Sequence, residues 1–245
     1  YDRSRLKKPP ESLDELIRLS EAGHSFGIEK NIDTLQWLYT GLGYALFEPK
    51  TQTSSLAFLR WLNLANLQPT ISFESDPLLL RSGLISGAFS WITCSGSWLP
   101  GLKLRMGNNF GVVMLPNMPA GKANPFLKPR TWFFGSQSSM HQQELAKRFA
   151  LFTVNTVQQR NTALKLVSVA PVNPGISLPL KINKTLKLVN LAAGQGKLLT
   201  LGQVDWLYSM ESVFIPYLYL VLSGERSPEV IAPSLDNLLE YKAIQ

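Results

Sequence analysis

The chain has 245 residues, 45% of them hydrophobic and 17% charged, and a net charge of +7. This is enough apolar mass to bury one large domain or two lobes sharing a hinge, and it excludes a disordered chain. The single cysteine, Cys94, excludes an internal disulfide, and the longest strongly apolar run, residues 213–222, is too short to span a bilayer. The opening residue is Tyr1 with no signal-like segment, so the chain reads as soluble, with an internal fragment of a longer product left open.

Pro9 and Pro10 hold the opening extended, and Ser12 with Glu15 forms a capping box ahead of Leu13, Leu16 and Ile17, which predicts a helix over 13–22. A Gly-bounded strand is expected at 25–28. Leu35, Leu38 and Leu42 then share one helical face, with Trp37 about a third of a turn away, so a second helix begins near Asp33 and runs to 43. Residues 54–67 repeat the pattern. Asp76 caps a further helix with Pro77 in its first turn, and Gly83 and Gly87 close it. The apolar run 88–94 predicts a buried strand, ended by the turn Ser95-Gly96-Ser97 and followed by Trp98. A tryptophan just past the end of a central strand offers a flat apolar face beside backbone donors, which suits a polar ligand with one hydrophobic side.

Further strands are expected at 110–115 and 131–134, joined by a proline-rich loop that reads as a domain crossover. Ser139 and Gln142 form a second capping box, opening a helix through 154, and 156–166 continues in register until Pro171 and Pro174. Helices follow at 184–193 and 201–222, the latter interrupted at Pro216, and a last one starts at Ser227 and Pro228 and is kinked by Pro233. Helices interleaved with short apolar strands predict an α/β architecture without internal repeats.

Between Pro77 and Val204 the only acidic residue is Glu144, against fourteen lysines and arginines. The excess suits a basic surface facing an anionic ligand, a membrane headgroup layer or an acidic partner, or simply a solubilising charge. The bases are scattered singly without aromatic interleaving, which argues against nucleic acid. Only His24 and His141 are present, too few for a metal cluster or a histidine triad; Glu74 and Asp76 flank a helix start, where acids cap. Gly194-Gln195-Gly196 follows no strand and is not a nucleotide fingerprint. No enzyme activity and no cofactor are expected.

A collinear series of motifs resembles the maltose-binding-like solute-binding proteins of sugar-type ABC importers. It runs from Tyr1-Asp2-Arg3 with Pro9-Pro10 and Ser12-Leu13-Asp14-Glu15-Leu16, through Leu80 to Trp98, to Phe110-Gly111 with Leu115-Pro116. Met118-Pro119-Ala120-Gly121-Lys122 with Pro125-Phe126, and Pro171-Val172-Asn173, complete it. The resemblance covers essentially the whole chain but begins partway into the family's pattern, without the stretch that builds most of one lobe. It implies a type II periplasmic-binding-protein-like α/β fold with one lobe nearly complete, residues 1–110 and 172–245. Residues 111–171 would cross through hinge strands to a second, incomplete lobe.

The function so implied is capture of a sugar or sugar-like solute by hinge closure and delivery to an ABC transporter permease. The protein would be periplasmic or extracellular, free or tethered to the membrane. A receptor-derived interaction or sensor domain that no longer captures solute is the alternative. The resemblance places Trp98 as the stacking residue and Trp37, Asp33 and Thr34 at a ligand-contacting helix start, where Asp33 is also a candidate cap. Glu211, with Trp206 as an alternative, lies near an aromatic contact of the family. Arg130 and Trp132 stand where many relatives read Gly-Gly-Trp, and an arginine facing the cleft would favour an anionic sugar-like solute through a bidentate fork.

Overall fold

A computed structural model describes residues 1–42, 54–119, 123, 125–127, 129, 131–181 and 183–239. At its centre Phe26, Gly27 and Ile28 alternate along β1 (Phe26–Glu29), the middle strand of a parallel sheet. β2 (Ile71–Glu74) pairs on one side, Phe26 opposite Ile71 and Glu29 opposite Glu74, and β3 (Trp91–Ile92) on the other, Phe26 opposite Trp91. The described residues also form α1 (Leu13–Glu21), α2 (Ile32–Gly41), α3 (Leu56–Asn66), α4 (Pro77–Ser86), α5 (Leu99–Met106), α6 (Met140–Val154), α7 (Thr156–Leu166), α8 (Lys184–Gln195), α9 (Leu201–Leu222) and α10 (Pro228–Leu238).

Because successive side chains of a strand point to opposite faces, β1 divides the apolar residues into two cores. Phe26 and Ile28 join Leu35 and Leu38 of α2, Phe58 and Leu62 of α3, Phe214 and Leu218 of α9, and Leu235 of α10 in the larger one. Gly27 faces the smaller, built from Leu80 and Leu84 of α4, Ile92, Leu99 and Leu102 of α5, and Phe110. A methyl group at Gly27 would come within 2.5 Å of Leu80 Cδ2, so the glycine sets how closely α4 approaches the sheet.

The helix-start chemistry read from the sequence is present. Ser12 Oγ accepts from Glu15 N–H at 3.1 Å, although the Glu15 carboxylate reaches back to Glu11 N–H rather than to Ser12. Asp76 caps α4 through Leu78 N–H, with Pro77 in the first turn, and Ser139 with Gln142 forms the full reciprocal box at α6. Gly87, at φ 83°, ends α4; Gly83 lies inside the helix, where its bare backbone admits the Phe89 ring.

Several expectations are corrected. α2 starts one residue before Asp33, capped by Asn31, whose Oδ1 accepts from Thr34 N–H at 2.7 Å. Asn155 separates α6 from α7, its extended backbone ending the first and its side chain capping the second. α9 runs through Pro216, because a proline removes only one helical bond and its exposed position leaves the freed carbonyl to water. β2 and α5 were not anticipated, and the buried run 88–94 pairs only at Trp91 and Ile92. Residues 112–115 and 131–134 are not sheet strands: among the described residues their backbone groups make no backbone hydrogen bond.

Candidate functional site

The three parallel strands end on one side of the molecule, where the chain leaves the sheet into turns and helix starts, the usual ligand-binding edge of an open α/β sheet. β1 runs into Glu29, Lys30 and Asn31, β2 into Ser75 and Asp76, and β3 into Thr93, Cys94 and a 3₁₀ turn over Gly96–Trp98. The order β2-β1-β3 sends the two connections to opposite sides of β1. Glu29 and the β3 turn therefore flank the point where the topology switches.

Glu29 organises this edge, and no sequence signal singled it out. Its backbone N–H donates to Thr93 Oγ1 at 2.9 Å, tying β1 to the residue after β3. Its carboxylate accepts from Asn31 Nδ2 at 2.6 Å and from Thr34 Oγ1 at 3.1 Å. The carboxylate thus sits at the start of α2, where the helix dipole favours a negative charge. A two-residue spacing to the cap could have flagged it.

Trp98 closes the turn after β3 as expected, half-buried against the smaller core. The Arg81 guanidinium of α4 lies 5.6 Å from its ring centroid, a cation–π distance. Arg81 makes no ion pair or hydrogen bond among the described residues, and its Nε is buried without a partner. Lys30 places its ammonium 3.8 Å from the ring centroid of Tyr219 on α9, and this hydrogen-bonding cation holds the Tyr219 phenol below its ordinary range. Cys94 is chemically quiet, since burial pushes its thiol up to about 11.

The remaining sequence-derived site residues are dispersed. Trp37 is 1% exposed in the larger core, so the expected ligand contact is replaced by packing. α2 buries Leu35, Gln36, Trp37, Leu38 and Tyr39 together because α9 covers the face that the leucine stripe leaves open. Thr34 reaches the strand edge, but its hydroxyl is committed to Glu29. The Asp33 side chain and Arg130 lie outside the described residues. Trp132 is 57% exposed, with Nε1 donating to Thr153 Oγ1 at 2.9 Å and its ring edge-on to Phe149 of α6, away from the sheet edge. Glu211 and Trp206 are half-buried positions of α9.

A void of about 10 Å³ lined by Ile32, Gln36, Tyr39, Phe214 and Leu239 has room for a single water and none for a sugar ring. Among the described residues there is no group of three or more His, Cys, Asp or Glu able to hold a metal, and no helix is long and apolar enough to cross a membrane.

No protein-family model matches the chain, and none of the curated proteins does. Solved structures do. The GacH receptor of Streptomyces glaucescens, solved unliganded and with acarbose, superposes with a TM-score of 0.76 at 17% identity, over 99% of this chain and 69% of that one. The maltose-bound MalE3 of T. maritima gives 0.78 at 14% identity, over 98% and 68%. The maltose/maltodextrin-binding domain MalE of Bdellovibrio bacteriovorus, bound to maltotriose, gives 0.75 at 18%, over 98% and 68%. The chain therefore has the α/β fold of periplasmic-binding-protein-like solute receptors. Its structural neighbours include maltose and maltodextrin binders, and it spans about two thirds of the length of the neighbours named here.

Proposed function

We propose that this chain is the greater part of a receptor that binds a sugar or sugar-like solute at the carboxyl edge of its parallel sheet. The observation that carries the reading is Trp98, an indole at the end of β3 beside the topological switch, in a fold whose solved neighbours hold maltose, maltotriose and acarbose. A sugar presents hydroxyl edges and a C–H face, and one aromatic face with nearby carboxylates, amides and cations satisfies both. Trp98 stacks the ring, and Glu29, Lys30 and Arg81 supply the polar rim. The Arg81 cation, without an ion-pair partner among the described residues and beside the indole, supports an anionic group on the ligand, in keeping with the base-rich middle of the sequence.

In this reading residues 1–110 and 172–245 form one lobe and 111–171 belong to a second. Ligand is held by closure of the two and handed to an ABC importer permease at the outer face of the membrane. No bond in the solute is made or broken. Closure is stabilised only by contacts that the ligand makes better in the closed form.

Calorimetric titration of the intact protein with maltotriose, and with the same oligosaccharide carrying a uronate, tests this. Saturable binding is expected, weakened about tenfold by Trp98→Ala, a loss of about 1.4 kcal/mol. Arg81→Gln is expected to weaken only the uronate. Binding that is absent, or indifferent to Trp98→Ala, overturns the reading.

A further inference from the structure

Val167 is the one non-glycine residue with a positive φ among the described residues, at φ 48° and ψ −3°. In this left-handed region a Cβ crowds the carbonyl that follows, and the branched side chain of valine adds to the crowding, so glycine or asparagine usually ends a helix this way. Such a conformation persists where the surrounding contacts over-determine it. Those contacts are visible. Val167 N–H donates to the Ala163 carbonyl at 3.0 Å, closing α7. Further on, the N–H groups of Val172 and Asn173 both donate to Gln159 Oε1 at 3.0 Å, and Asn173 Nδ2 donates to the Val154 carbonyl at 3.2 Å. The chain is thus tied to its own helices on both sides of Ser168 and must bend sharply between them.

The bend delivers the Ser168 carbonyl to Gly96. A methyl carbon placed on Gly96 would lie 3.2 Å from that oxygen, closer than ordinary van der Waals contact, and beyond the adjoining residues no other described atom comes within 4 Å of it. Glycine at 96 therefore admits backbone where a side chain would push it away. Gly96 opens the 3₁₀ turn that ends at Trp98, and the turn is tight. Trp98 N–H donates to the Ser95 carbonyl at 3.0 Å and Ser97 N–H to Ser95 Oγ at 3.4 Å. A displacement at Gly96 is carried on to the indole, because so short a ring of bonds has little slack.

We infer that Val167 and Gly96 are positioning residues for Trp98: the left-handed bend at Val167 seats the Ser168 carbonyl on the bare Cα of Gly96, and this seat fixes where the indole stands. Arg81 contacts the ring itself, whereas this pair acts on the turn that carries it. The consequence for ligand rests on the reading of Trp98 as the stacking residue; the seat does not.

The test labels the intact protein with 5-fluorotryptophan, so that each tryptophan gives a fluorine resonance, and Trp98→Phe identifies the one from position 98. Gly96→Ala is expected to shift the Trp98 resonance and to weaken maltotriose binding about fivefold, because the added methyl displaces the turn or the Ser168 backbone. Val167→Gly added to Gly96→Ala is expected to return the resonance toward its wild-type position and the affinity to within about twofold, since glycine lets the bend give way to the methyl. Gly194→Ala, where a methyl meets nothing within 4 Å, is the control and should change neither. A Trp98 resonance unmoved by Gly96→Ala, or moved equally in the single and double variants, overturns the inference. If Gly96→Ala does not fold, recovery of folded protein in the double variant supports the coupling, and failure to recover overturns it. Resonances that follow the expected pattern in a protein that does not bind maltotriose uphold the seat and overturn the solute reading instead. Binding that depends on Trp98, with a resonance indifferent to position 96, does the reverse.

Discussion

Gly27 shows how a single residue fixes a packing distance. Its position opposite Leu80 leaves no room for a methyl, with Ile92 Cγ2 and Phe89 Cδ2 at 3.2 and 3.3 Å from where that methyl would sit. Gly27→Ala is expected to destabilise the protein by about 1–3 kcal/mol, since the buried Leu80 must leave its rotamer or α4 must move. Chemical denaturation would register this as a lower midpoint at unchanged slope. At this scale the sequence was partly legible. Trp98 could be read because a tryptophan after a strand and a Ser-Gly-Ser turn has few other uses. Trp37 could not, because its burial depends on α9 arriving from more than 160 residues away. Glu29 escaped notice because its role needs the positions of Asn31, Thr34 and Thr93 at once.

Helices were far more legible than strands, and the reason is where each keeps its hydrogen bonds. A helix satisfies its own backbone, so Ser12, Asp76 and Ser139 announce helix starts locally, and the structure uses all three. A strand exists only by its partner: Ile71–Glu74 is four residues long and gained its identity from β1, while the more strand-like segment 131–134 has no ladder among the described residues. Asn31 joins the two kinds of element, since it caps α2 and also donates to the carboxylate that ends β1. Asn31→Ala is expected to cost about 1 kcal/mol or somewhat more, the loss of a cap together with one partner of Glu29. Asn31→Asp keeps the cap but sets a second negative charge against Glu29. Thermal melts should therefore rank the wild type above both variants.

Across the whole molecule stability is unevenly distributed. The larger core gathers Trp37, Trp61 and Trp91 at 1%, 7% and 2% exposure and is clamped by α3, α9 and α10 packing on one another. α6 and α7 contribute 15 and 11 residues of helix with Ala163 alone buried between them. Two regions that differ this much in burial do not unfold as one unit, because cooperativity requires that each lose contacts when the other melts. Urea unfolding of the 245-residue chain is therefore expected to begin with loss of helical circular dichroism from α6 and α7. The blue-shifted fluorescence of the three core tryptophans should persist to a higher midpoint. Coincident midpoints in the 245-residue chain alone would show that α6 is held by the core directly, contrary to its exposure.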